Sequence, residues 1–296
     1  MRLYTYKTDK HGKEMVGVGD AAGKFIHPLS EFGMEYKTVQ EMIEQMKDAE
    51  WELLEKQVSE CTEGPGVDDV ILCAPIPRPA QDIVCLGINY MAHAEESARF
   101  KALEFDGKRE FAVYFAKRVN ECTAPEGVVP AYEGLVDGLD YEVELAVIIG
   151  KDAKNVKRED AFDYILGYTI MNDVSARNLQ TRHKQWYFGK SLDGFTPLGP
   201  CIVTKQDLPD PANLKIMSRL NGEVRQDSNT SLLITDIPYM IEELTQGMTL
   251  KAGTIIATGT PGGVGMGFVP PRFMKKGDVI ECEIEGIGVL RNTIGE

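Results

Sequence analysis

The chain has 296 residues, of which 43% are hydrophobic and 26% are charged. These proportions are ordinary for a globular protein with one large core, or with one large domain and a smaller companion. The formal net charge of −14, from 46 acidic and 32 basic residues, argues against nucleic acid or an anionic membrane surface as a general partner. An anionic small-molecule substrate would therefore need local positive charge from a metal ion, lysine or arginine.

From the sequence, neither an export signal nor a membrane span is expected. The start, MRLYTYKTDKHGKEM, has no apolar segment of the kind found in signal peptides, and no stretch approaches the length of a membrane span. Six cysteines are scattered without CxxC pairs or zinc-type Cys/His spacing, and several lie in apolar runs such as ILCAP and IVCLG. We therefore expect buried, reduced thiols and a cytoplasmic location.

The pattern at the start of the chain predicts a small N-terminal α/β domain over residues 1–75, followed by a larger domain over residues 76–296. The stretches MRLYTYK, EMVGVGD and KFIHPL are typical of short strands. The stretch TVQEMIEQMKDAEWELLEKQVSE has apolar residues near helical spacing and predicts one amphipathic helix. Thr38 and Glu41 fit a capping box at its start, and EGPGVDDVILCAPIPRPAQ is typical of a connector.

Beyond Asp82 the chain alternates short apolar strands with turns that contain Gly and Pro. The predicted strands are IVCLGIN, FAVYFAK, LAVIIG, YTIMNDV, CIVT, TIIATG and DVIECEIEGIGVLRNTI. In the last of these, apolar residues alternate with glutamates from Ile280 to Glu285, as in a half-buried strand. Helices are expected only after Asn89, near EDAFDYIL and over residues 235–244. The predicted fold class is α+β and β-rich, with a rolled or barrel-like mixed sheet rather than a doubly wound one.

The segment LDYEVELAVIIG places two carboxylates inside buried strand sequence. Because successive side chains of a strand point to opposite faces, Glu142 and Glu144 share one face and the intervening apolar residues point to the other. Neighbouring like charges that lose hydration are unfavourable unless something compensates, and a cation is the simplest compensation. In YTIMNDVSAR, about thirty residues later, another strand ends at Asp173. A solvent-facing acidic stripe is the alternative, but three carboxylates together predict a hard oxygen site for Mg²⁺ or Mn²⁺.

Further candidate groups lie in three other stretches. In GINYMAHAEES, His93 and Glu96 share a helix face and could hydrogen-bond, which suits a general base for water but also an ordinary surface pair. Lys190 in QWYFGKSLDGFTPLGP is either a cation for a substrate oxyanion or carboxylate, or a surface lysine. The Gly-rich loop in TIIATGTPGGVGMG lacks the GK[ST] of a phosphate loop. It could instead offer N–H groups and the Thr260 hydroxyl to a carboxylate.

Taken together, these stretches resemble the fumarylacetoacetate hydrolase family. The patterns GxNYxxHxxE, DYExELAxxIG, NDVSAR, FGKSxDxxxPxGP and TGTPxGVG occur in order over about residues 82–294. The resemblance implies a rolled mixed β-sheet core, a homodimer and a divalent metal cofactor, Mg²⁺ or Mn²⁺. The metal ligands that it implies are Glu142, Glu144 and Asp173. The catalytic residues that it implies are His93 and Glu96, on a lid helix, and Lys190. The substrate contacts that it implies are Tyr90, Arg177, Gln180 and Thr260.

A metal held by three carboxylates can chelate a small 2-oxo acid and stabilise an enolate as a Lewis acid. This chemistry serves three reactions: hydrolysis of acylpyruvate- or fumarylpyruvate-type acids, decarboxylation of oxaloacetate, and isomerisation of 2-hydroxyhepta-2,4-diene-1,7-dioate. We rank C–C hydrolysis or decarboxylation above isomerisation because the His93–Glu96 pair is intact. The non-enzymatic alternative is a metal-dependent dicarboxylate-binding protein, and the same pair together with Lys190 favours catalysis over binding alone.

Overall fold

Mixed sheets dominate the computed structural model, which describes residues 1–104 and 111–296. The strands are β1 (Arg2–Lys7), β2 (Met15–Gly19), β3 (His27–Pro28), β4 (Ile71–Leu72), β5 (Ile83–Gly87), β6 (Val113–Lys117), β7 (Val128–Pro130), β8 (Leu139–Asp140), β9 (Val143–Ile149), β10 (Ile165–Asn172), β11 (Ser175–Ala176), β12 (Leu198–Thr204), β13 (Lys215–Leu220), β14 (Glu223–Asn229), β15 (Ile255–Ala257), β16 (Val279–Ile284) and β17 (Gly288–Gly295). The α-helices are α1 (Val39–Gln45), α2 (Asp48–Glu60), α3 (Met91–Phe100), α4 (Arg177–Arg182), α5 (Tyr187–Lys190) and α6 (Ile237–Gly247). Short 3-10 helices cover Leu29–Phe32, Val67–Asp69, Arg158–Tyr164, Thr230–Leu232 and Gly265–Gly267.

The largest sheet has ten strands in the order β3-β2-β1-β12-β10-β9-β15-β5-β6, with β4 paired to β1. Its neighbours are antiparallel except for β15 and β5, which run parallel. A five-stranded sheet in the order β14-β13-β16-β17-β7 packs against it, with β13 and β16 contacting β9 and β10. The prediction of an α+β, sheet-rich fold is confirmed, although the described strands do not form a closed barrel.

Strand β9 lies in the centre of the large sheet, and all seven of its residues are buried. It pairs with β10 on one side and with β15 on the other. A strand that is buried on both faces needs a nearly continuous apolar run, which explains the sequence VELAVII. The one charged residue in this run is Glu144. A carboxylate at this depth costs free energy unless it is compensated, so it marks a candidate functional site.

The N-terminal strands extend the large sheet instead of forming a separate one. Leu3 of β1 pairs with Ile202 of β12 in antiparallel register, and Leu54 of α2 belongs to the same apolar cluster as both residues. Sheet pairing therefore crosses the proposed boundary between residues 1–75 and 76–296. That division remains a proposal about which part of the chain folds as a unit.

The single helix predicted near the N-terminus is two helices, so this prediction is wrong in that respect. As predicted, the Thr38 hydroxyl accepts a hydrogen bond from Glu41 N at 3.0 Å at the start of α1. The backbone then becomes extended at Met46, where ψ is 131°. A second cap begins α2, because the Glu50 carboxylate accepts a hydrogen bond from Lys47 N at 2.9 Å. This local cap prevails over the longer apolar pattern.

Other elements were missed or assigned to the wrong type. Strands β13 and β14 were not predicted. Strand β14 reads EVRQDSN, has one buried residue and pairs with β13 as an edge strand without an apolar alternation. The helix expected at EDAFDYIL is a 3-10 helix that ends where β10 begins. Helices α4 and α5 have six and four residues, too few to give a helical apolar period.

The burial of most cysteines agrees with the expectation from the sequence. All six cysteines are free, and five of them are buried. Burial raises the pKa of the Cys85 thiol well above its ordinary value, and the nearby Asp173 and Glu144 carboxylates raise it further. Of the helices that the structure describes, none combines the length and the apolar character that a membrane crossing requires.

Candidate active site

Three carboxylates meet at the start of strand β9 and the end of its neighbour β10. Glu144 lies in β9, Glu142 directly precedes that strand, and Asp173 directly follows β10. The Asp173 backbone N–H donates to the Glu142 carbonyl oxygen at 2.9 Å. One carboxylate oxygen of each residue lies within 4.8 Å of the others, and all three side chains are buried. The strand-face argument therefore correctly predicted that these three groups come together.

Two buried lysines contact this acidic triad. Lys190, the last residue of α5, places Nζ 2.7 Å from Glu142 Oε2 and 2.6 Å from Asp173 Oδ2. Lys117, the last residue of β6, donates to Asp173 Oδ1 at 2.7 Å and to a backbone carbonyl at 3.0 Å. From the sequence, a bound metal ion was expected to compensate these charges. The protein's own ammonium groups supply part of that compensation.

Arg177 connects the triad to the Gly-rich loop. Its Nη2 lies 2.6 Å from Glu142 Oε1, its Nη1 donates to Gln180 Oε1 at 3.0 Å, and its Nε donates to Asp140 Oδ2 at 2.9 Å. Asp140 also accepts from the backbone N–H of Gly265 at 2.6 Å and from that of the next residue at 3.0 Å. Asp140 is therefore a positioning residue, because it holds both the guanidinium and the loop in place.

Glu144 has surroundings unlike those of the other two carboxylates. Its Oε2 accepts a hydrogen bond from Gly259 N at 2.9 Å, but no ion pair to Glu144 occurs within residues 1–104 and 111–296. Gly259 has a φ of 98°, and a Cβ at this position would lie 2.7 Å from Asn89 Cβ. Glycine is therefore needed to bring this N–H to the carboxylate.

The contrast in partners separates the pKa values of the two glutamates. Burial raises the pKa of Glu144 well above its ordinary value, and the charges of Asp173 and Glu142 raise it further. Burial also acts to raise the pKa of Glu142, but Lys190 and Arg177 outweigh it and hold this pKa well below the ordinary range. Burial acts to lower the pKa of Lys190, whereas Asp173 and Glu142 raise it to about 12. Lys190 is therefore a cation at neutral pH and not a free base.

The triad fits a small divalent cation. Its ligand atoms are carboxylate oxygens only, which suits Mg²⁺ or Mn²⁺ and leaves other coordination positions for water or substrate. Within the part of the chain that the structure describes, Glu144 is the member of the triad that lacks a cationic partner. Glu142, Glu144 and Asp173 would hold the ion, with Glu144 gaining the counter-charge that it lacks.

We expect the affinity of the protein for Mn²⁺ to rise with pH. Because the pKa of Glu144 is raised, this carboxylate keeps a proton at pH values where an ordinary glutamate is ionised, and metal binding must displace that proton. The affinity should increase by up to about tenfold per pH unit below the raised pKa and level off above it. Electron paramagnetic resonance titrations of free Mn²⁺ at several pH values measure this slope, and an affinity independent of pH would contradict it.

Helix α3, the predicted lid helix, lines one side of the cleft, but its predicted dyad is not hydrogen-bonded. His93 Nδ1 lies 3.8 Å from Glu96 Oε2, which is too long for a hydrogen bond. The Glu96 carboxylate instead accepts from Gly263 N at 2.9 Å, and Arg99 Nη2 donates to the Gly267 carbonyl oxygen at 2.9 Å. In this conformation Glu96 therefore docks the lid on the Gly-rich loop, and its side chain does not orient the imidazole.

A narrow, partly open cleft lies above the triad. Phe115 and Trp186 form an aromatic wall, with ring centroids 5.2 Å apart and an interplanar angle of 71°. Lys190 Nζ lies 5.2 Å from the Phe115 centroid. The predicted site residues that line this cleft are His93, Glu142, Glu144, Arg177, Gln180, Lys190 and Thr260. Asp173 does not line the cleft, but its carboxylate contacts the cleft-lining Lys190.

Two of the predicted substrate contacts are less available than expected. The Thr260 hydroxyl donates to the Val143 carbonyl oxygen at 2.9 Å and accepts from Gln226 Nε2 at 2.7 Å, so its proton is already engaged. Tyr90 is buried and does not line the cleft, and its hydroxyl has no hydrogen-bond partner among the described residues. Burial and the charge of Glu144 raise its pKa. Both roles remain proposals.

Several residues that shape the site were missed in the sequence. Lys117 ends the apolar strand VYFAK. Because a lysine at a strand end is usually solvated, the sequence did not indicate that Lys117 is buried. Asp140 stands two residues before Glu142, and a third acidic residue in LDYEVE could have prompted attention. Trp186 belongs to QWYFGK, in which only Lys190 was singled out. Lys101, at the end of the lid helix, also lines the cleft, but it belongs to none of the motifs that were noted in the sequence.

The described fold is sheet-rich, and its acidic triad lies beside a cleft lined by Lys190 and Arg177. The chain belongs to the fumarylacetoacetate hydrolase family, because the family described as "Fumarylacetoacetate (FAA) hydrolase C-terminal" matches residues 82–295. The motif resemblance is therefore confirmed, and it covers the strands, the lid helix and the Gly-rich loop that build the cleft.

Individual relatives span several activities. The chain is 47% identical over 230 residues to the oxaloacetate tautomerase YisK of Bacillus subtilis (strain 168), covering 78% of this chain and 75% of that protein. The solved structure of a fumarylacetoacetate hydrolase from psychrophilic Exiguobacterium antarcticum is 36% identical, with a TM-score of 0.80 and coverage of 100% and 99%. A 5-carboxymethyl-2-hydroxymuconate delta-isomerase from Mycobacterium smegmatis is 32% identical, with a TM-score of 0.71 and coverage of 100% and 98%.

Proposed function

We propose that the protein is a Mg²⁺- or Mn²⁺-dependent enzyme that converts small dianionic 2-oxo acids through an enolate. The keto–enol tautomerisation of oxaloacetate is the first reaction to test. The observation that carries this proposal is the buried acidic triad beside two cleft-facing cations, Lys190 and Arg177. The choice of oxaloacetate rests on the relative with 47% identity, which is an oxaloacetate tautomerase.

The cations of the cleft would bind the substrate and stabilise developing negative charge. Lys190 stays protonated because Asp173 and Glu142 raise its pKa to about 12 although burial lowers it, so it offers a fixed positive charge to an enolate oxygen. Arg177 offers a planar group that suits a carboxylate. A divalent ion, when bound, would act as a Lewis acid that polarises the 2-oxo group.

His93 is the group that we propose for moving the proton at C3 of the substrate. It lines the cleft on the inner face of the lid helix, and its Nδ1 has no hydrogen-bond partner among the described residues. An imidazole exchanges protons near neutral pH. Docking of the lid through Glu96 and Gly263 would hold His93 over the substrate and exclude water.

C–C bond cleavage, which the sequence analysis ranked first, is the second candidate. The observation that favours it is the closeness of His93 Nδ1 to Glu96 Oε2, at 3.8 Å, because a small shift of the lid would make a hydrogen-bonded pair able to activate water. Isomerisation of 2-hydroxyhepta-2,4-diene-1,7-dioate stays a further alternative, since the same cleft would stabilise its dienolate. A dicarboxylate-binding protein without turnover is the non-enzymatic alternative.

One set of assays separates these reactions. The protein is incubated with oxaloacetate or acetylpyruvate in the presence of Mg²⁺, Mn²⁺ or EDTA, while enol absorbance and pyruvate are followed together. Fast enol equilibration of oxaloacetate without pyruvate supports tautomerisation, pyruvate release from oxaloacetate supports decarboxylation, and pyruvate release from acetylpyruvate supports hydrolysis. No metal-dependent turnover of any substrate would contradict the proposed function.

Replacing His93 with alanine is expected to lower the turnover of the preferred substrate by about 10²- to 10⁴-fold, the usual range for a lost general acid–base group. Metal affinity should change little, because the imidazole is not a member of the triad. Steady-state rates and Mn²⁺ titrations measure the two effects. Glu95→Gln on the exposed face of the same helix is the matched control and should behave like the wild type. Normal turnover of His93→Ala would exclude this role.

The homodimer implied by the family resemblance and the cytoplasmic location expected from the sequence remain proposals. Sedimentation of the purified protein tests the first. The proposed function itself does not depend on either, because every triad residue and every cleft cation named above comes from one chain.

A further inference from the structure

Lys101 directly follows the lid helix, where backbone hydrogen bonds cap the C-terminal end of the helix. Its N–H donates to the Ser97 carbonyl oxygen at 3.1 Å, and the Leu103 N–H donates to the Ala98 carbonyl oxygen at 2.9 Å. Ala102 has a φ of 52°, the left-handed conformation in which glycine usually follows a helix. These hydrogen bonds fix the backbone at Lys101, which directly follows the helix that carries His93.

The Lys101 side chain lines the cleft without a counter-charge. Its Nζ lies 5.5 Å from the ring centroid of Trp186, and both residues line the cavity above the triad. No carboxylate pairs with Lys101 within residues 1–104 and 111–296. Burial lowers the pKa of the Lys101 ammonium, the positive charge of Arg177 lowers it further, and Glu142 acts in the opposite direction. An unpaired cation on a partly buried wall can pair with an anionic ligand group.

Among the described residues, Lys101 adds one positive charge to those that pair with the acidic triad. The acidic groups are Asp140, Glu142, Glu144 and Asp173. The basic groups are Lys101, Lys117, Arg177 and Lys190. With the His93–Glu96 pair left out of the count, these charges balance, and a divalent ion bound at the triad would leave an excess of two positive charges. A dicarboxylate ion neutralises that excess, whereas without Lys101 the excess would be one charge, which suits a monocarboxylate.

We propose that Lys101 is the specificity-determining residue that binds the distal carboxylate of a dianionic 2-oxo acid. This inference rests on the proposed function and names the substrate group that the lid recognises. The 2-oxo acid end of the substrate faces the triad, Lys190 and Arg177, and the distal carboxylate reaches Lys101 beside Trp186. Because Lys101 directly follows the helix that carries His93, the contact also holds the lid over the reacting carbon. A methyl group in place of the distal carboxylate leaves Lys101 unpaired.

The test compares oxaloacetate with 2-oxobutanoate, which has a methyl group where oxaloacetate has its distal carboxylate. Calorimetry gives the Kd of each compound for the Mn²⁺-loaded wild type, Lys101→Met, Lys101→Arg and the control Lys56→Met, an exposed lysine of α2. Lys101→Met should weaken oxaloacetate binding by about 10- to 100-fold, the range for loss of a charged hydrogen bond. It should change 2-oxobutanoate binding by less than about twofold, because no Lys101 contact is lost. Lys101→Arg should recover part of the preference, and Lys56→Met should match the wild type.

Equal weakening of the binding of both ligands in Lys101→Met would make Lys101 a structural residue and overturn the proposal. Unchanged binding of both ligands in this variant would also overturn it. So would a wild-type protein that binds the two ligands equally well. The proposed function is tested separately, by deuterium exchange at C3 of oxaloacetate observed by nuclear magnetic resonance. A protein that prefers the dianion through Lys101 yet does not exchange this proton would support the Lys101 contact and contradict the enolate chemistry.

Discussion

Replacement of Glu144 with glutamine should lower the affinity for Mn²⁺ by more than about 100-fold and abolish turnover of 2-oxo acids. Loss of groups that only support metal ligands already costs about 10- to 100-fold, and Glu144 is a proposed ligand. The reason is electrostatic, because Glu142 and Asp173 are already paired with Lys190, whereas Glu144 accepts a hydrogen bond from Gly259 N. Glutamine keeps the shape and that hydrogen bond but removes the charge that the ion would neutralise.

Calorimetric titration with Mn²⁺, followed by assays at saturating metal, measures both effects of Glu144→Gln. The folded state should persist and become more stable without metal, because the variant removes the free-energy cost of either burying a repelled charge or protonating Glu144 above its ordinary pKa. Glu281→Gln in β16 changes a glutamate outside the site and serves as the matched control. Full turnover of Glu144→Gln at ordinary metal concentrations would exclude the metal role of the triad.

Replacement of Lys117 with methionine should destabilise the protein by about 3–5 kcal/mol, the range for breaking a buried ion pair from one side. Lys117 is fully buried, and its ammonium lies 2.7 Å from Asp173 Oδ1. Methionine fills a similar volume but leaves that oxygen without its cation. The effect is on folding and on the placement of Asp173, since Lys117 does not line the cleft.

Urea unfolding of metal-free Lys117→Met, Asp173→Asn and the double variant forms a mutant cycle for this pair. The double variant should recover much of the loss, because no uncompensated buried charge remains. Arg118→Met at the next, exposed position should change the free energy of unfolding by less than about 0.5 kcal/mol. A loss for Lys117→Met as small as that of the control would mean that Lys117 does not compensate Asp173.

The acidic triad was predictable because each member carries a strong local signal. Glu144 interrupts a run of buried strand residues, Glu142 lies on the same face, and Asp173 ends a second apolar strand. The period of two in a strand and the pairing of β9 with β10 then bring the three together. The sheet-rich class followed from the same alternation of short apolar runs and turns.

The cations that complete the site were harder to predict because their signal is tertiary. Lys117 and Lys101 end a strand and a helix, positions at which lysine is usually solvated. Only the packed fold reveals that one meets Asp173 and the other lines the cleft. The partner of Glu96 was also not predictable from the sequence. Its spacing from His93 permits a hydrogen bond between the two side chains, but the Glu96 carboxylate accepts one from Gly263 N instead.

Anomalous diffraction from crystals of the wild-type protein grown with Mn²⁺ gives the most direct test of a metal ion at the acidic triad. We expect one strong anomalous peak in the cleft, about 2 Å from carboxylate oxygens of Glu142, Glu144 and Asp173, the distance typical of small hard cations. An active, Mn²⁺-saturated crystal with no peak at these oxygens, or with a peak only elsewhere, would contradict a metal-dependent enzyme built on this triad.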